Sequence, residues 1–143
     1  MIRLEPLREP HEWLWFKERT YVPLCEDLQG IVAYRDNEIV GGCILNNFAG
    51  TCAHVHVAID DPMVLRHGFL EAMAKMAFID LGRDRLFGYV PTDNPRAMKL
   101  NKHMGFEVVT EIPNYFSDGV GCVIMVGNKD KAQRWLAQER RAG

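Results

Sequence analysis

Two histidines stand two residues apart in a segment whose pattern is typical of a β-strand. Residues 52–57 read Cys-Ala-His-Val-His-Val, so Cys52, His54 and His56 share one face of the predicted strand and small apolar residues share the other. A neutral imidazole with a pKa near 7 can take the proton that an amine loses when it acts as a nucleophile. The pattern therefore makes His54 and His56 candidates for a general base.

Two other interpretations of this strand stay open. A His-x-His pair with a further ligand can hold zinc, which would favour a metal-dependent hydrolase, but spacing names no ligand beyond the nearby Cys52. Histidines are also commonly satisfied by hydrogen bonds within a sheet and then have no chemical role. We predict no metal site.

A second informative stretch, residues 94–106, predicts a short helix between two strands. Asp93 or Asn94 can cap its first turn, and Pro95 suits the first helical position, where a missing N–H costs nothing. Gly105 suits the left-handed residue that follows a helix. One helical face carries apolar residues, namely Ala97, Leu100 and Met104.

Hydrophobic periodicity predicts the elements that position these segments. Strands are predicted over residues 2–7, 31–34, 39–45, 51–59, 85–90, 106–112 and 121–126. Helices are predicted from residue 9 onward through residue 17, and over residues 62–81 and 130–141, besides the short one described above. This order predicts an α/β (α+β) protein with a mixed, mostly antiparallel central sheet of six to seven strands and helices on both faces.

The stretch 94–106 resembles the C-terminal motif of the GNAT N-acetyltransferases, which reads roughly Asn-x-x-Ala-x-x-Leu-Tyr-x-x-x-Gly-Phe. Five positions match: Asn94, Ala97, Leu100, Gly105 and Phe106. The order of elements is also similar to the GNAT arrangement over nearly the whole chain. Asn101 stands where the family usually has a tyrosine that protonates the departing thiolate of coenzyme A.

The resemblance implies a fold in which two neighbouring parallel strands splay apart and acetyl-CoA enters the gap. Here those strands would be residues 53–59 and 86–90. Acetyl-CoA would be the acyl donor. The residues implied to contact it are Val57, Ile59, Arg66, His67, Gly68, Asn94 and Asn101.

The family's phosphate-binding loop, Arg/Gln-x-x-Gly-x-Gly/Ala, is only partly present. If Gly68 is its central glycine, Leu65 and Leu70 occupy the other two positions. Arg66 and His67 can supply positive charge to a phosphate, or they can be solvated residues in the first turn of a helix. Both interpretations stay open.

The same resemblance suggests roles in catalysis. His56 is the first candidate for the base and His54 the second, while backbone N–H groups near residues 57–59 would polarise the thioester carbonyl. Tyr89 and Tyr115 are candidates for the missing acid, because a phenol with a pKa of about 10 is well matched to a thiolate.

The sequence thus predicts an N-acetyltransferase that moves an acetyl group from acetyl-CoA directly to a primary amine of a small molecule or a protein. The alternative is a non-catalytic domain of the same fold that binds an acyl-CoA or a protein partner. Asn101, the degenerate loop and the lack of a carboxylate in residues 51–59 favour that alternative.

Composition sets the remaining expectations. With 143 residues, 48% of them hydrophobic and 25% charged, we expect a single domain over residues 1–143. A net charge of -2 gives no reason to expect nucleic acid or a membrane surface as partner. No apolar run is long enough to cross a bilayer and Arg3 comes too early for a secretory signal, so we expect a cytoplasmic protein. The four cysteines predict no disulfide framework, and a homodimer stays open.

Overall fold

Seven strands form one sheet in a computed structural model that describes residues 1–66 and 68–136. The strands are β1 (Ile2–Pro6), β2 (Gln29–Arg35), β3 (Glu38–Ala49), β4 (Cys52–Ile59), β5 (Arg85–Pro91), β6 (Glu107–Ser117) and β7 (Val120–Asn128). Their spatial order is β1-β2-β3-β4-β5-β7-β6. Within this sheet β4 and β5 run parallel and every other neighbouring pair is antiparallel. The predicted mixed, mostly antiparallel sheet is confirmed.

Residues 133–136 are helical, and three further α-helices lie wholly within the described part of the chain. They are α1 (Pro10–Lys17), α2 (Phe69–Ala74) and α3 (Pro95–His103). A 3-10 turn, Pro62–Arg66, precedes α2, and a second, Lys129–Ala132, follows β7. The predicted C-terminal helix over residues 130–141 lies partly outside the described residues.

The prediction of one continuous helix over residues 62–81 is wrong. Gly68 interrupts it with a φ of +78°, a left-handed conformation that glycine adopts without strain. After α2 the chain widens into a π-helical stretch, Lys75–Asp80, in which the N–H of Leu81 bonds the carbonyl of Met76 five residues earlier. Ile79 lies in this wider turn. The predicted helix would bury it with the other apolar residues of one face, but the residue is 53% exposed.

Apolar side chains are buried on both faces of the sheet. On one face α2 contributes Phe69, which is fully buried in the same cluster as Leu86 and Met125. On the other face α1 contributes Phe16, which is buried against Val32 of β2. Both faces are therefore covered by helices, as the order of elements predicts.

The two parallel strands separate soon after they begin. β4 and β5 pair at three positions, the last being His54 with Phe87. Beyond this point β4 continues to pair with β3, and β5 with β7. Because each strand is held by its other neighbour, the gap between them is part of the sheet itself. The predicted splay is confirmed.

The helix next to this gap forms as its local signals predict. The Oδ1 of Asn94 accepts a hydrogen bond from the N–H of Ala97 at 3.1 Å, Pro95 is the first helical residue, and Gly105 has a φ of +94°. Local chemistry thus fixes both ends of α3, and with them the position of its side chains over the gap.

Candidate functional site

A cavity of about 710 Å³ opens where β4 and β5 separate. Residues from β3, β4, β5, α3, β6 and the loop before β2 line it. It brings together seven of the residues that the sequence singles out, namely His54, His56, Val57, Tyr89, Asn94, Asn101 and Tyr115. We call it the first cavity.

A second cavity of about 520 Å³ lies against the same helix. Its lining includes Val57, Ile59 and Asn94, and it adds three side chains of α3 that can carry positive charge: Arg96, Lys99 and His103. Five residues line both cavities, namely Arg19, Val57, Asn94, Ala97 and Leu100. The two cavities therefore meet along a common wall at the gap.

Of the predicted phosphate loop, Leu65 lines the second cavity, but the described residues proposed to meet the phosphates do not. Arg66 and Gly68 are exposed and belong to neither lining, and His67 lies outside the described residues. Just before this segment, Asp60 is held by Arg19, whose Nη2 lies 2.9 Å from the carboxylate. Asp61 is held by Arg35 in the same way, so arginines of this chain neutralise both acidic groups.

His56 is held in the first cavity by an asparagine of β3. Its Nε2 lies 2.9 Å from the Oδ1 of Asn46, which is only 4% exposed. An amide oxygen only accepts hydrogen bonds, so Nε2 carries the proton and Nδ1 is the basic atom. Burial, together with the nearby His54, lowers the pKa of His56 to about 4. The imidazole is therefore neutral at pH 7.

His54 is held by the next residue of β3. Its Nε2 lies 3.2 Å from the Nδ2 of Asn47, and its ring centroid lies 4.7 Å from that of Tyr89. Burial lowers the pKa of His54 as well. Both histidines are thus neutral groups in defined orientations, each bonded to an asparagine.

The two asparagines were not singled out by the sequence analysis. They stand at the end of β3, and the β3–β4 register pairs Asn46 with His54 across the ladder. Counting outward from the Ala49–Cys52 pair would place only Asn47 opposite His54, because an irregularity between Asn46 and Ala49 shifts the register and brings Asn46 there instead. The missed signal was therefore the hairpin register.

Asn101 presents an unsatisfied amide to the first cavity. The residue is 7% exposed, and its side chain makes no hydrogen bond to any described residue. Its Nδ2 lies 3.2 Å from the position that a Cβ would occupy on Gly88 of β5. The fully buried polar atoms without a partner among the described residues are the indole nitrogens of Trp13 and Trp135, so the amide of Asn101 is open to the cavity and can bond water or a ligand there.

Four aromatic residues continue the lining of the first cavity away from the histidines. Tyr89 contacts Tyr115 with centroids 6.1 Å apart, Tyr115 contacts Phe116 at 4.9 Å, and Phe116 stacks on Tyr21 at 4.3 Å. We call these four residues the aromatic wall. Burial and the nearby Tyr115 raise the pKa of Tyr89, so its hydroxyl stays protonated at neutral pH.

The described residues offer no support for the zinc interpretation. Among them no group of three or more His, Cys, Asp and Glu side chains is arranged to hold a metal ion. The four cysteines are free thiols. No helix in the described ranges is both long and apolar enough to span a bilayer.

Comparison with known proteins gives a clear result only at the level of structure. No protein-family model matches the chain, and no curated protein sequence does either. Solved structures do match. Mutant forms of the spermidine/spermine N-acetyltransferase SpeG from Vibrio cholerae are 13% identical, with a TM-score of 0.73 over 94% of this chain and 98% of theirs.

Two further structures are similar to the same degree. One, described as a putative acetyltransferase of the GNAT family from Desulfovibrio desulfuricans, is 11% identical, with a TM-score of 0.70 over 90% of this chain and 99% of that one. The other, smu.2055 from Streptococcus mutans, is 13% identical, with a TM-score of 0.70 over 89% of this chain and 99% of that one. This chain has the acyl-CoA N-acyltransferase fold of the GNAT acetyltransferases.

Proposed function

We propose that this protein is an N-acetyltransferase that transfers the acetyl group of acetyl-CoA directly to a primary amine. The observation that carries the proposal is the gap between β4 and β5, with one cavity for each substrate meeting along a common wall. In the reaction the amine nitrogen bonds to the acetyl carbon, the carbon–sulfur bond breaks, and one proton leaves the nitrogen. Holding both reactants in one site supplies much of the rate enhancement of such a transfer.

The second cavity suits the donor because coenzyme A carries phosphate groups. Arg96 and Lys99 supply positive charge there, and Asp60 is already neutralised by Arg19. Beyond His54, the edge of β4 that faces the gap is not paired with β5, so backbone groups near Val57 and Ile59 can bond the amides of an extended pantetheine arm. We assign phosphate recognition to α3 in preference to Arg66, His67 and Gly68.

His56 is our candidate for the base. Its Nδ1 is the free acceptor, because Nε2 donates to Asn46. A pKa of about 4 makes the imidazole a weak base but keeps it neutral at pH 7. The amine nitrogen becomes strongly acidic as it bonds to the acetyl carbon, so even a weak base can then take its proton. His54 is the second candidate, directly or through water.

Asn101 and Tyr89 are our candidates for stabilising the departing sulfur. The Nδ2 of Asn101 can donate a hydrogen bond at the gap, in place of the proton that a tyrosine would give. Tyr89 keeps its hydroxyl protonated and lines the same cavity, as does Tyr115. The thiolate can therefore be held by an amide and protonated by a phenol from another element or by solvent.

One observation favours a second function, a non-catalytic domain of the same fold that binds an acyl-CoA. Asn101 stands where the GNAT motif has its acid, and an amide side chain cannot give up a proton. Such a domain would bind the donor in the same gap and release no thiol.

Titration with acetyl-CoA tests the proposal. Binding at 100 times the dissociation constant should stabilise the fold by about 2.7 kcal/mol, measured by denaturant unfolding with and without the ligand. Release of free thiol with a mixture of primary amines should accompany binding. Binding without thiol release would identify the non-catalytic domain, and no binding at millimolar acetyl-CoA would reject both functions.

The base is tested by His56→Ala. We expect turnover to fall by about a hundredfold with little change in acetyl-CoA affinity, since a positioned base contributes to the chemical step. The matched control is His11→Ala, which removes an exposed histidine of α1 that lines neither cavity. Unaltered turnover in the His56 variant would remove it as the base.

A further inference from the structure

We infer that the acceptor is an amine with a single positive charge and an aromatic ring, held by the aromatic wall of the first cavity. This inference rests on the proposed function, because it assigns the first cavity to the amine. It names a substrate class from the side chains that line that cavity.

The aromatic wall forms a continuous track that starts at the histidines. Tyr89 contacts His54 at one end, and the series of ring contacts passes through Tyr115 and Phe116 to Tyr21 at the other. Tyr21 is 65% exposed and Tyr115 48% exposed, so these rings stack on one another without being part of the core. Exposed, mutually stacked rings around a cavity offer faces and edges for another ring to pack against.

The charges of the first cavity match one ammonium group. Among the described residues of its lining, Asp27 is the one carboxylate. Arg19, the one arginine or lysine of that lining, is bonded to Asp60 and stacks over Trp15 at 3.8 Å. The two histidines are neutral at pH 7. The further ammonium groups of a polyamine would find no second carboxylate among the described lining residues. Removing those charged groups from water would therefore cost free energy that no ion pair repays.

The direction of the wall also fits the reaction. A reactive nitrogen must lie near the gap, where His56 and Asn101 both line the first cavity. The body of such an amine then lies along Tyr89 and Tyr115 toward the exposed ring of Tyr21. A ring on a short alkyl arm spans this arrangement with its charged end at the gap.

A panel of three amines tests the inference by direct calorimetric binding to the full chain, and separately by kcat/KM with acetyl-CoA. The probes are 2-phenylethylamine, n-hexylamine and spermidine. An aromatic contact is worth about 0.5–1.5 kcal/mol, so 2-phenylethylamine should bind about two- to twelvefold more tightly than n-hexylamine. Spermidine should bind most weakly. Equal binding of the first two, or preference for spermidine, would overturn the inference.

Two variants assign the preference to the wall. Tyr21→Ala should remove much of the advantage of 2-phenylethylamine over n-hexylamine in direct binding. Leu24→Ala is the matched control, because Leu24 is an exposed apolar residue of the same loop that does not line the first cavity. An equal effect of both variants would contradict the assignment.

The panel also separates this inference from the proposed function. A ring preference in direct binding, with no thiol released from acetyl-CoA, would support the inference and reject catalysis. Acetyl transfer without a ring preference would support catalysis and reject the inference.

Discussion

The two cavities share a wall yet differ in chemistry. The first is lined by aromatic rings and two neutral histidines, and the second by cationic side chains of α3. Helical periodicity explains how one nine-residue helix serves both. Ala97 and Leu100 lie on the common wall and Asn101 lines the first cavity alone, whereas Arg96, Lys99 and His103 recur at a spacing of three and four and line only the second. One short helix can thus separate a site for a cation from a site for an anion.

Charge reversal in the second cavity should give the largest effect. Each charged hydrogen bond to a phosphate is worth about 1.5–3 kcal/mol, less where solvent screens it, so Arg96→Glu with Lys99→Glu should weaken acetyl-CoA binding by about a hundredfold. The dissociation constant by calorimetry, at two salt concentrations, measures this effect. The weakening should shrink as salt rises.

The matched control for that prediction lies on the same helix. Lys102→Glu makes the same change of charge as Lys99→Glu alone, at an exposed position outside both linings. If Lys102→Glu weakens binding as much as Lys99→Glu, net charge alone decides donor affinity and the two cavities do not differ as we argue.

Acid should destabilise the protein through His56 in the first cavity. Above pH 6.5 its imidazole is neutral whether the chain is folded or unfolded. Between pH 6.5 and about 4 the unfolded chain binds a proton that the folded chain excludes, so the free energy of unfolding falls as pH falls. Allowing for solvent screening, we expect a loss of about 2 kcal/mol over this range.

Urea unfolding of His56→Gln at pH 7 and pH 4 measures that contribution. The variant should lose much of the slope of stability against pH, with a smaller slope remaining from His54. The control Leu24→Ala, which changes an exposed residue without a titratable group, should keep the slope of the wild type. If His56→Gln keeps the wild-type slope of stability against pH, folding does not lower the pKa of His56.

Removing the unsatisfied amide should reduce turnover by about tenfold. Asn101→Ala deletes a donor that we place at the departing sulfur, and such hydrogen bonds contribute about 1–2 kcal/mol or more to a transition state. Because the amide has no partner among the described residues, its loss should leave the free energy of unfolding unchanged or slightly higher. Lower stability with unchanged turnover would make Asn101 a structural residue.

These contrasts also show what the sequence can predict. The helix α3 was predicted because its cap, Pro95 and Gly105 act within a few residues of one another, whereas the splay next to it was expected only from the resemblance to the GNAT fold. The long helix was predicted wrongly because apolar spacing does not reveal the left-handed Gly68 or the π-helical stretch that follows α2. Local signals therefore predict the ends of the helix that positions the site.

The contents of the site depend on contacts between distant segments. The aromatic wall joins Tyr21, Tyr89 and two neighbouring residues of β6, which no local pattern connects. Asn46 meets His56 through the register of a hairpin. The roles assigned to the histidines, to Asn101 and to the two tyrosines stay predictions that the experiments above test.

Asn94 offers the smallest and most discriminating test, because it lines both cavities and also caps α3. Asn94→Ala should cost about 1 kcal/mol of stability through the lost cap, whereas Asn94→Asp should keep it. The aspartate adds a negative charge to the common wall, so it should weaken acetyl-CoA binding a few-fold and leave amine binding equal or slightly tighter. Calorimetry on both variants measures the two affinities. If Asn94→Asp binds acetyl-CoA as the wild type does, the residue only caps the helix, and the donor lies further along α3 toward Lys99 and His103.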